Sequence, residues 1–323
     1  MNSLDFLVYK LTNGSTQILT GSWQLITDSN PSGFIVSDAH GERFWQFEEK
    51  AAVSIDDLEL PNFSDKQIEA ISESAYLKNC TALVDEMKEK HIDKVVFSRI
   101  KQRNWSNEEF KKVFFELLAA YPNNLNYAFY SQELGFWMGS TPEILVKSQG
   151  ECYTSMALAG TLASAESDEL WTQKERDEQQ YVSDYLAELI NKYGQIEKQS
   201  ERYVHVVGPV KHLRNDFEFS MANDHLWQFI RDFHPTPAVC GVPKNEARQL
   251  YQKYETHHRE LYTGIIGWAE PGNMHLFVNL RCMQIHQNAA ALYVGGGLTQ
   301  DSDPAKEWLE TERKSEALGR FLG

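Results

Sequence analysis

At 323 residues, 42% hydrophobic and 24% charged, the chain has the composition of a folded globular protein, with room for one large domain or two ordinary ones, and not of a disordered one. Forty-six acidic residues against thirty-one basic ones leave a net charge of −15, which argues against nonspecific attraction to nucleic acid or to an anionic membrane surface. Any anionic ligand has to be held by local positive groups. The opening Met1-Asn2-Ser3-Leu4-Asp5-Phe6 has no basic segment followed by an apolar core, and no stretch approaches the ~18 apolar residues of a membrane span, so a soluble cytoplasmic protein is expected. Cys80, Cys152, Cys240 and Cys282 form no Cys-x-x-Cys pair; four reduced, buried thiols are expected rather than a zinc ribbon or a disulfide framework.

To about Lys50 the chain alternates short strand-like segments, such as Thr16 to Leu19 and Gly33 to Val36, with turns at Asn13-Gly14, Pro31-Ser32-Gly33 and His40-Gly41. From about Ser64 helical spacing sets in. Tyr76, Cys80, Leu83, Val84 and Met87 share one face, and the run leads into the strand Lys94-Val95-Val96-Phe97-Ser98-Arg99. A second amphipathic helix starts at a Ser106 or Asn107 cap and ends before Pro122; strands follow around 127–130, 136–138 and 143–147. Beyond Glu151 the grammar repeats: a strand, a helix over 174–192, a strand near 204–213, a helix over 243–258 and a strand within 261–268. Hairpin strands over 277–285 and 291–295 come next, and a final helix runs from Asp303 to about Phe321. Helices separated by pairs of strands predict an α+β fold with mainly antiparallel sheets covered by helices, as one continuous domain over 1–323.

The short motifs of nucleotide cradles and common hydrolases are absent. Acidic residues stand instead where a helix should be apolar. On the helix 174–192, Glu175 and Glu178 continue the stripe of Val182, Tyr185 and Leu189; on the last helix, Glu307 and Glu310 share a face with Lys314, Ala317 and Phe321. Four carboxylates converging from two helices would need a hard cation such as Mg²⁺ among them; alternatively, each pair is the solvated first turn of a helix, where acids suit the macrodipole. Lys94, on the face of Val96 and Ser98, is either a desolvated general base or a strand-end lysine reaching water. Glu143, after Pro142, is either a general acid or an exposed strand start. Arg281, flanked by apolar residues, needs an anion, from a ligand or from a structural ion pair. Gly295-Gly296-Gly297 either offers bare N–H groups to a carboxylate or forms a bulge. His257 and His258 are read as surface residues of a helix.

These segments together resemble the chorismate-utilising family, which includes isochorismate synthases, salicylate synthases and the large components of anthranilate and aminodeoxychorismate synthases. The resemblance is carried, in order, by Lys94 to Arg99, Ser140-Thr141-Pro142-Glu143, Leu158-Ala159-Gly160-Thr161, Lys174-Glu175-Arg176-Asp177-Glu178, His234-Pro235-Thr236-Pro237-Ala238-Val239-Cys240-Gly241-Val242-Pro243, Tyr262-Thr263-Gly264, Arg281, Gly295-Gly296-Gly297, and Asp301-Ser302-Asp303-Pro304 leading into Glu307 to Thr311. It covers residues 76–323; residues 1–70 match poorly and are read as divergent, shortened strands.

The resemblance implies a sandwich of two packed sheets flanked by helices, an α/β/β/α arrangement. It implies Glu178 and Glu310 as the main Mg²⁺ ligands with Glu175 and Glu307 close by or acting through water, and a metal that holds the ring carboxylate of chorismate. Arg281 and Tyr262 would take the enolpyruvyl carboxylate with N–H groups at Gly160 and Gly297, and Thr161, Lys314 and Gly295 would lie nearby. His234 would line the site or pack beside it. Members that add water carry lysine where Lys94 stands, whereas ammonia-using members carry glutamine and depend on an amidotransferase. The implied activity is isochorismate synthesis, with Lys94 activating water and Glu143 protonating the departing C4 hydroxyl. Salicylate synthesis, in which pyruvate elimination follows, is the rival, and a noncatalytic chorismate-binding module a more distant one. A monomer without an amidotransferase subunit is expected.

Overall fold

The computed structural model describes residues 5–27, 30–60, 67–270 and 272–323. The onset of helical spacing near Ser64 and the opening residues 1–4 lie outside them. Four strands come first: β1 (Asp5–Lys10), β2 (Gln17–Ile26), β3 (Gly33–Ser37) and β4 (Phe44–Ala52). Helix α1 (Glu73–Lys90) is capped by the Ser72 hydroxyl, ends at left-handed His91, and buries the five residues of the expected face. It is followed by β5 (Lys94–Asn104), α2 (Phe110–Ala120), β6 (Leu125–Ser131), β7 (Gly135–Thr141), β8 (Ile144–Gln149) and β9 (Cys152–Ala163). Then come α3 (Gln173–Tyr193), β10 (Gly194–Gln199), β11 (Tyr203–Val207), β12 (Val210–Met221), α4 (Leu226–Phe233), β13 (Gly241–Val242) and α5 (Lys244–Tyr254). The chain closes with β14 (Ile265–Ala269), β15 (His275–Val278), β16 (Cys282–Ile285), β17 (Ala289–Leu298) and α6 (Pro304–Gly319).

The layers show in what each part of the core is made of. One cluster joins Leu7, Trp23, Phe34, Trp45, Phe129, Trp137, Ile266 and Phe277, all from strands, and so lies between sheet faces. The others put helices against sheet: α3 and α4 over β9 and β12, α2 over β6 and β7, and α1 with α5 over β5. This is an α+β domain with antiparallel strands flanked by helices, and hydrogen bonds link its strands into one continuous network. The front strands are built into it, since β1 pairs with β6 and β3 with β14. No helix among the described residues is long and apolar enough to cross a membrane.

Several sequence expectations need correction. The strand expected over 204–213 is a hairpin, β11 and β12, turned at Gly208 (φ +64°). The strand expected over 277–285 is broken at Asn279 to Arg281, and Arg281 takes φ +47°. Helix α5 stops at Tyr254, so His257 is not a surface residue of a helix; it is buried with Nε2 3.2 Å from Ser98 Oγ. Cys152 is exposed, unlike the other three thiols.

Candidate functional site

Strand β5 lies beside β17 in a register that sets Val96 against Gly297, Phe97 against Gly296 and Ser98 against Gly295. The pocket forms around these glycines, and its wall includes Glu143, Gly160, Thr161, Glu178, Tyr262, Arg281 and Lys314. Lys94 is fully buried behind this wall, against Glu178 and Gly297. A Cβ on Gly297 would stand 3.0 Å from Lys94 Cε and 2.1 Å from Glu178 Oε1, so only glycine lets this pair approach the strand. A Cβ on Gly296 would instead meet Glu307 Oε2 at 3.2 Å and Glu310 Oε1 at 3.3 Å. Glu178 therefore lies against Gly297, while Glu307 and Glu310 lie against its neighbour Gly296. Those two line an adjoining groove with Glu175 and Thr161.

Each of three carboxylates leans on a lysine. Lys94 Nζ is 3.2 Å from Glu178 Oε1, Lys174 Nζ is 2.7 Å from Glu307 Oε1, and Lys314 Nζ is 2.7 Å from Glu310 Oε1 and donates to the Gly295 carbonyl at 3.0 Å. The Lys94 contact is an ion pair without hydrogen-bond alignment, since its buried Nζ has no aligned acceptor. Burial tends to raise the pKa of Glu178, but Lys94, Lys174 and Lys314 outweigh it and hold the carboxyl below its ordinary value. Glu307 goes the other way, to about 7: burial raises it, Lys174 opposes and Glu310 adds to the rise. Its Oε2 is buried without a partner. Among the described residues no three His, Cys, Asp or Glu side chains stand together as a metal-binding group. Glu175 is engaged elsewhere, since its Oε2 accepts from the Thr172 N–H at 3.0 Å and from the Thr172 hydroxyl, closing the first turn of α3.

The far wall has unpaired charges. Glu143, 6% exposed, has its carboxyl pushed up to about 7 by burial, against the pull of Lys94, Lys314, Arg281 and Arg214. Arg281 donates Nη1 to the Val207 carbonyl at 3.1 Å and makes no ion pair among the described residues; burial pulls its guanidinium down to about 10. The positive φ of Arg281 is backbone strain at the point where that guanidinium enters the pocket. Tyr262 is buried, and a Cβ on Gly295 would stand 3.0 Å from its hydroxyl. Gly160 (φ +69°) leaves no room for a side chain, because a Cβ would meet the Glu175 carbonyl at 2.8 Å.

His212 is a pocket residue that the sequence reading missed. Its Nδ1 lies 2.9 Å from the Gly160 carbonyl and 3.3 Å from Thr161 Oγ1. A carbonyl only accepts, so Nδ1 carries the proton and Nε2 is left as an acceptor. Burial, with Lys314 and Arg281, holds the imidazole neutral, its pKa well below the ordinary value. His234, by contrast, is not brought to the pocket. Its Nε2 faces the Ala39 carbonyl at 3.3 Å, and it lines a separate groove with Tyr185 and Lys244.

The family described as chorismate binding enzyme matches residues 13–323. The chain belongs to that family. The match takes in strands of the front segment that the sequence resemblance left out. Among curated members, the chain is 29% identical over 246 residues to isochorismate synthase EntC of Escherichia coli (strain K12), covering 72% of this chain and 63% of EntC. It is 28% identical over 248 residues to isochorismate synthase MenF of the same strain, covering 72% of this chain and 57% of MenF. The chain thus spans less than two thirds of these relatives' length. The solved structure of Escherichia coli MenF superposes with a TM-score of 0.80 at 20% identity, covering 100% of this chain and 90% of that one. The same chorismate-binding fold extends to anthranilate synthase component I of Streptococcus pneumoniae, with a TM-score of 0.68 at 19% identity, covering 99% and 93%.

Proposed function

We propose that the chain is an isochorismate synthase, an isomerase that converts chorismate reversibly to isochorismate by adding water at C2 as the C4 hydroxyl departs. The observation that carries this reading is a buried carboxyl, Glu143, that keeps its proton to about pH 7 in the wall of one pocket with an arginine that has no acidic partner among the described residues, and a buried lysine, Lys94, set against Glu178 of the same wall. The names of the curated relatives EntC and MenF point the same way.

Chorismate brings two carboxylates into a chain of net charge −15. Arg281 and Tyr262, with backbone N–H groups at Gly160 and Gly297, take the enolpyruvyl carboxylate, where the desolvated guanidinium gains the anion it lacks. The ring is thereby set between Lys94 and Glu143. Lys94 in its uncharged form, without the proton of its Glu178 ion pair, accepts a proton from water as the water oxygen bonds to C2; Glu143 gives its proton to the C4 hydroxyl, which leaves as water while the ring double bonds shift. One water enters and one leaves, so the reaction runs in both directions with the same two residues. His212, fixed as an acceptor, takes a hydrogen bond from a substrate hydroxyl. Lys314 and Thr161 complete the wall.

The donor set fits Mg²⁺: hard carboxylate oxygens from Glu178, Glu307 and Glu310 stand against bare glycine backbone, and one of them, Glu307 Oε2, is buried without a partner. Glu178 and Glu310 would hold the ion with Glu307 in support, and Glu175 would act only through water. When bound, the metal supplies charge neutralisation for these acids and a hold on the ring carboxylate. In the same reading the chain works as a cytoplasmic monomer without an amidotransferase subunit, and residues 76–323 hold the chemistry while residues 1–70 buttress the sheet.

The test is to incubate the purified chain with chorismate and Mg²⁺ and follow the products. Isochorismate alone is expected. Accumulating salicylate and pyruvate would replace this reading with salicylate synthesis, and tight chorismate binding without turnover at any pH or metal concentration would leave a binding module.

A further inference from the structure

We propose that Arg99 is a positioning residue that sets the rotation of α6, and thereby the placement of Glu307, Glu310 and Lys314 against the glycine strand; the consequence for metal rests on the functional reading above. Strand β5 is charged on both faces. Lys94 points toward the pocket, while Arg99, Lys101 and Arg103 alternate on the opposite face and meet α6.

Around a helix each residue advances about 100°, so Glu310, Lys314 and Glu307 fall within an arc of about 60°. Trp308, Glu312 and Glu316 occupy a separate arc of about 80°, and Thr311 lies between the two arcs. Arg99, 2% exposed, touches the second arc and the divide at once. Its Nε donates to Thr311 Oγ1 at 2.8 Å, its Nη2 pairs with Glu312, and its guanidinium carbon lies 3.7 Å from the centre of the Trp308 ring. Thr311 in turn donates to the Trp308 carbonyl at 2.7 Å, which ties the contacts together.

Three contacts at successive positions around the helix leave it one rotation. A slip of one residue would turn Glu310 about 100° away from Gly296. Lys101 and Arg103 reach only Glu312, Ser315 and Glu316 and are more exposed, so they add attraction without fixing the angle. A lysine at position 99 keeps the charge but cannot combine a guanidinium Nε–H, a second donor and a flat face.

The experiment compares wild type with Arg99→Lys, Thr311→Val and Lys101→Met. The readouts are Mg²⁺ affinity by calorimetry, the Mg²⁺ and chorismate dependence of turnover, and hydrogen exchange over residues 304–319. Arg99→Lys is expected to weaken Mg²⁺ about tenfold, with kcat at saturating Mg²⁺ within about threefold of wild type, and to speed exchange in α6. Thr311→Val is expected to weaken Mg²⁺ about threefold and Lys101→Met less than twofold. A folded Arg99→Lys variant with a lowered Tm but unchanged exchange and Mg²⁺ affinity would overturn the proposal. If wild type itself neither binds Mg²⁺ nor turns over chorismate, the functional reading fails, and α6 exchange in Arg99→Lys and Thr311→Val still decides this one.

Discussion

The two ends of the pocket bury ionisable groups under opposite rules. At the glycine strand, Glu178, Glu307 and Glu310 each have a lysine within 3.2, 2.7 and 2.7 Å, so the charges are balanced inside the protein. At the far wall buried Glu143 and half-buried Arg281 have no such partner among the described residues, and their pKa values move to about 7 and about 10. Internal balance makes the first end stable in the absence of ligand, whereas the second end is completed by a ligand. Desolvation sets the state of Glu143 and Arg281, and at the glycine strand it is outweighed by the lysines for Glu178 but not for Glu307.

The largest effect should come from breaking the far wall. Glu143→Gln is expected to lower kcat by about 10³ with either water or ammonium as nucleophile, since both need the leaving hydroxyl protonated. Lys94→Ala should lose water addition to a similar degree but recover partial activity with ammonium at raised pH; near-normal isochorismate formation by Lys94→Ala would remove its assignment as the base. Wild-type turnover should fall as pH rises through about 7, because the active form of Glu143 is the protonated one. Native Glu143 also holds its proton above the ordinary value of 4.5, so stability should decline between about pH 4.5 and 7 as the unfolded chain releases it first. A pH series of melting temperatures should therefore be flatter in Glu143→Gln than in wild type.

At the balanced end, Glu178→Gln and Glu310→Gln are each expected to cost about 100-fold or more in activity by removing a ligand oxygen, and Glu178→Gln also to lower the melting temperature, because it leaves Lys94 buried without its counter-charge. Circular dichroism and activity across a Mg²⁺ series measure the two parts separately, and wild-type activity at low Mg²⁺ would make these acids ordinary helix residues. Arg281→Met should raise KM for chorismate by about 100-fold, about 3 kcal/mol for a charge-assisted contact to a carboxylate, with a smaller change in kcat. The smallest effect belongs to Glu175→Gln. It should cost about 1 kcal/mol of stability at most through the first turn of α3, and leave Mg²⁺ dependence close to wild type.

Much of this arrangement was legible in local pattern. Strand alternation placed Lys94 inward, and helical spacing singled out Glu178 and Glu307, both of which are buried. The same spacing put Glu175 beside these acids but did not show that its carboxylate caps α3, although Thr172 three residues before it was a signal for a capping box. Arg281 was recognisable as a guanidinium among apolar residues, but the break in the strand that carries it was hidden by the apolar run on both sides. His212 gave no local signal, because its place in the wall follows from β12 pairing with β9, where Leu213 meets Ala159. His234 was read as a possible site residue through its motif, whereas the packing of that motif against Ala39 and Gly41 turns it into a separate groove.

The register of β5 also bears on how the chain folds. One edge of β5 pairs with the two residues of β13, and nearly its whole length pairs with β17, so Val95 has to wait for Leu298 and Asn104 for Ala289. The glycine floor cannot form until almost the entire chain has been made. An eleven-residue strand, apolar in its first half, spends that interval with an unpaired edge open to other chains. Long-range pairing of this kind slows folding. Arg99, Lys101 and Arg103, whose charges later clamp α6, are in that interval the groups that keep this edge soluble.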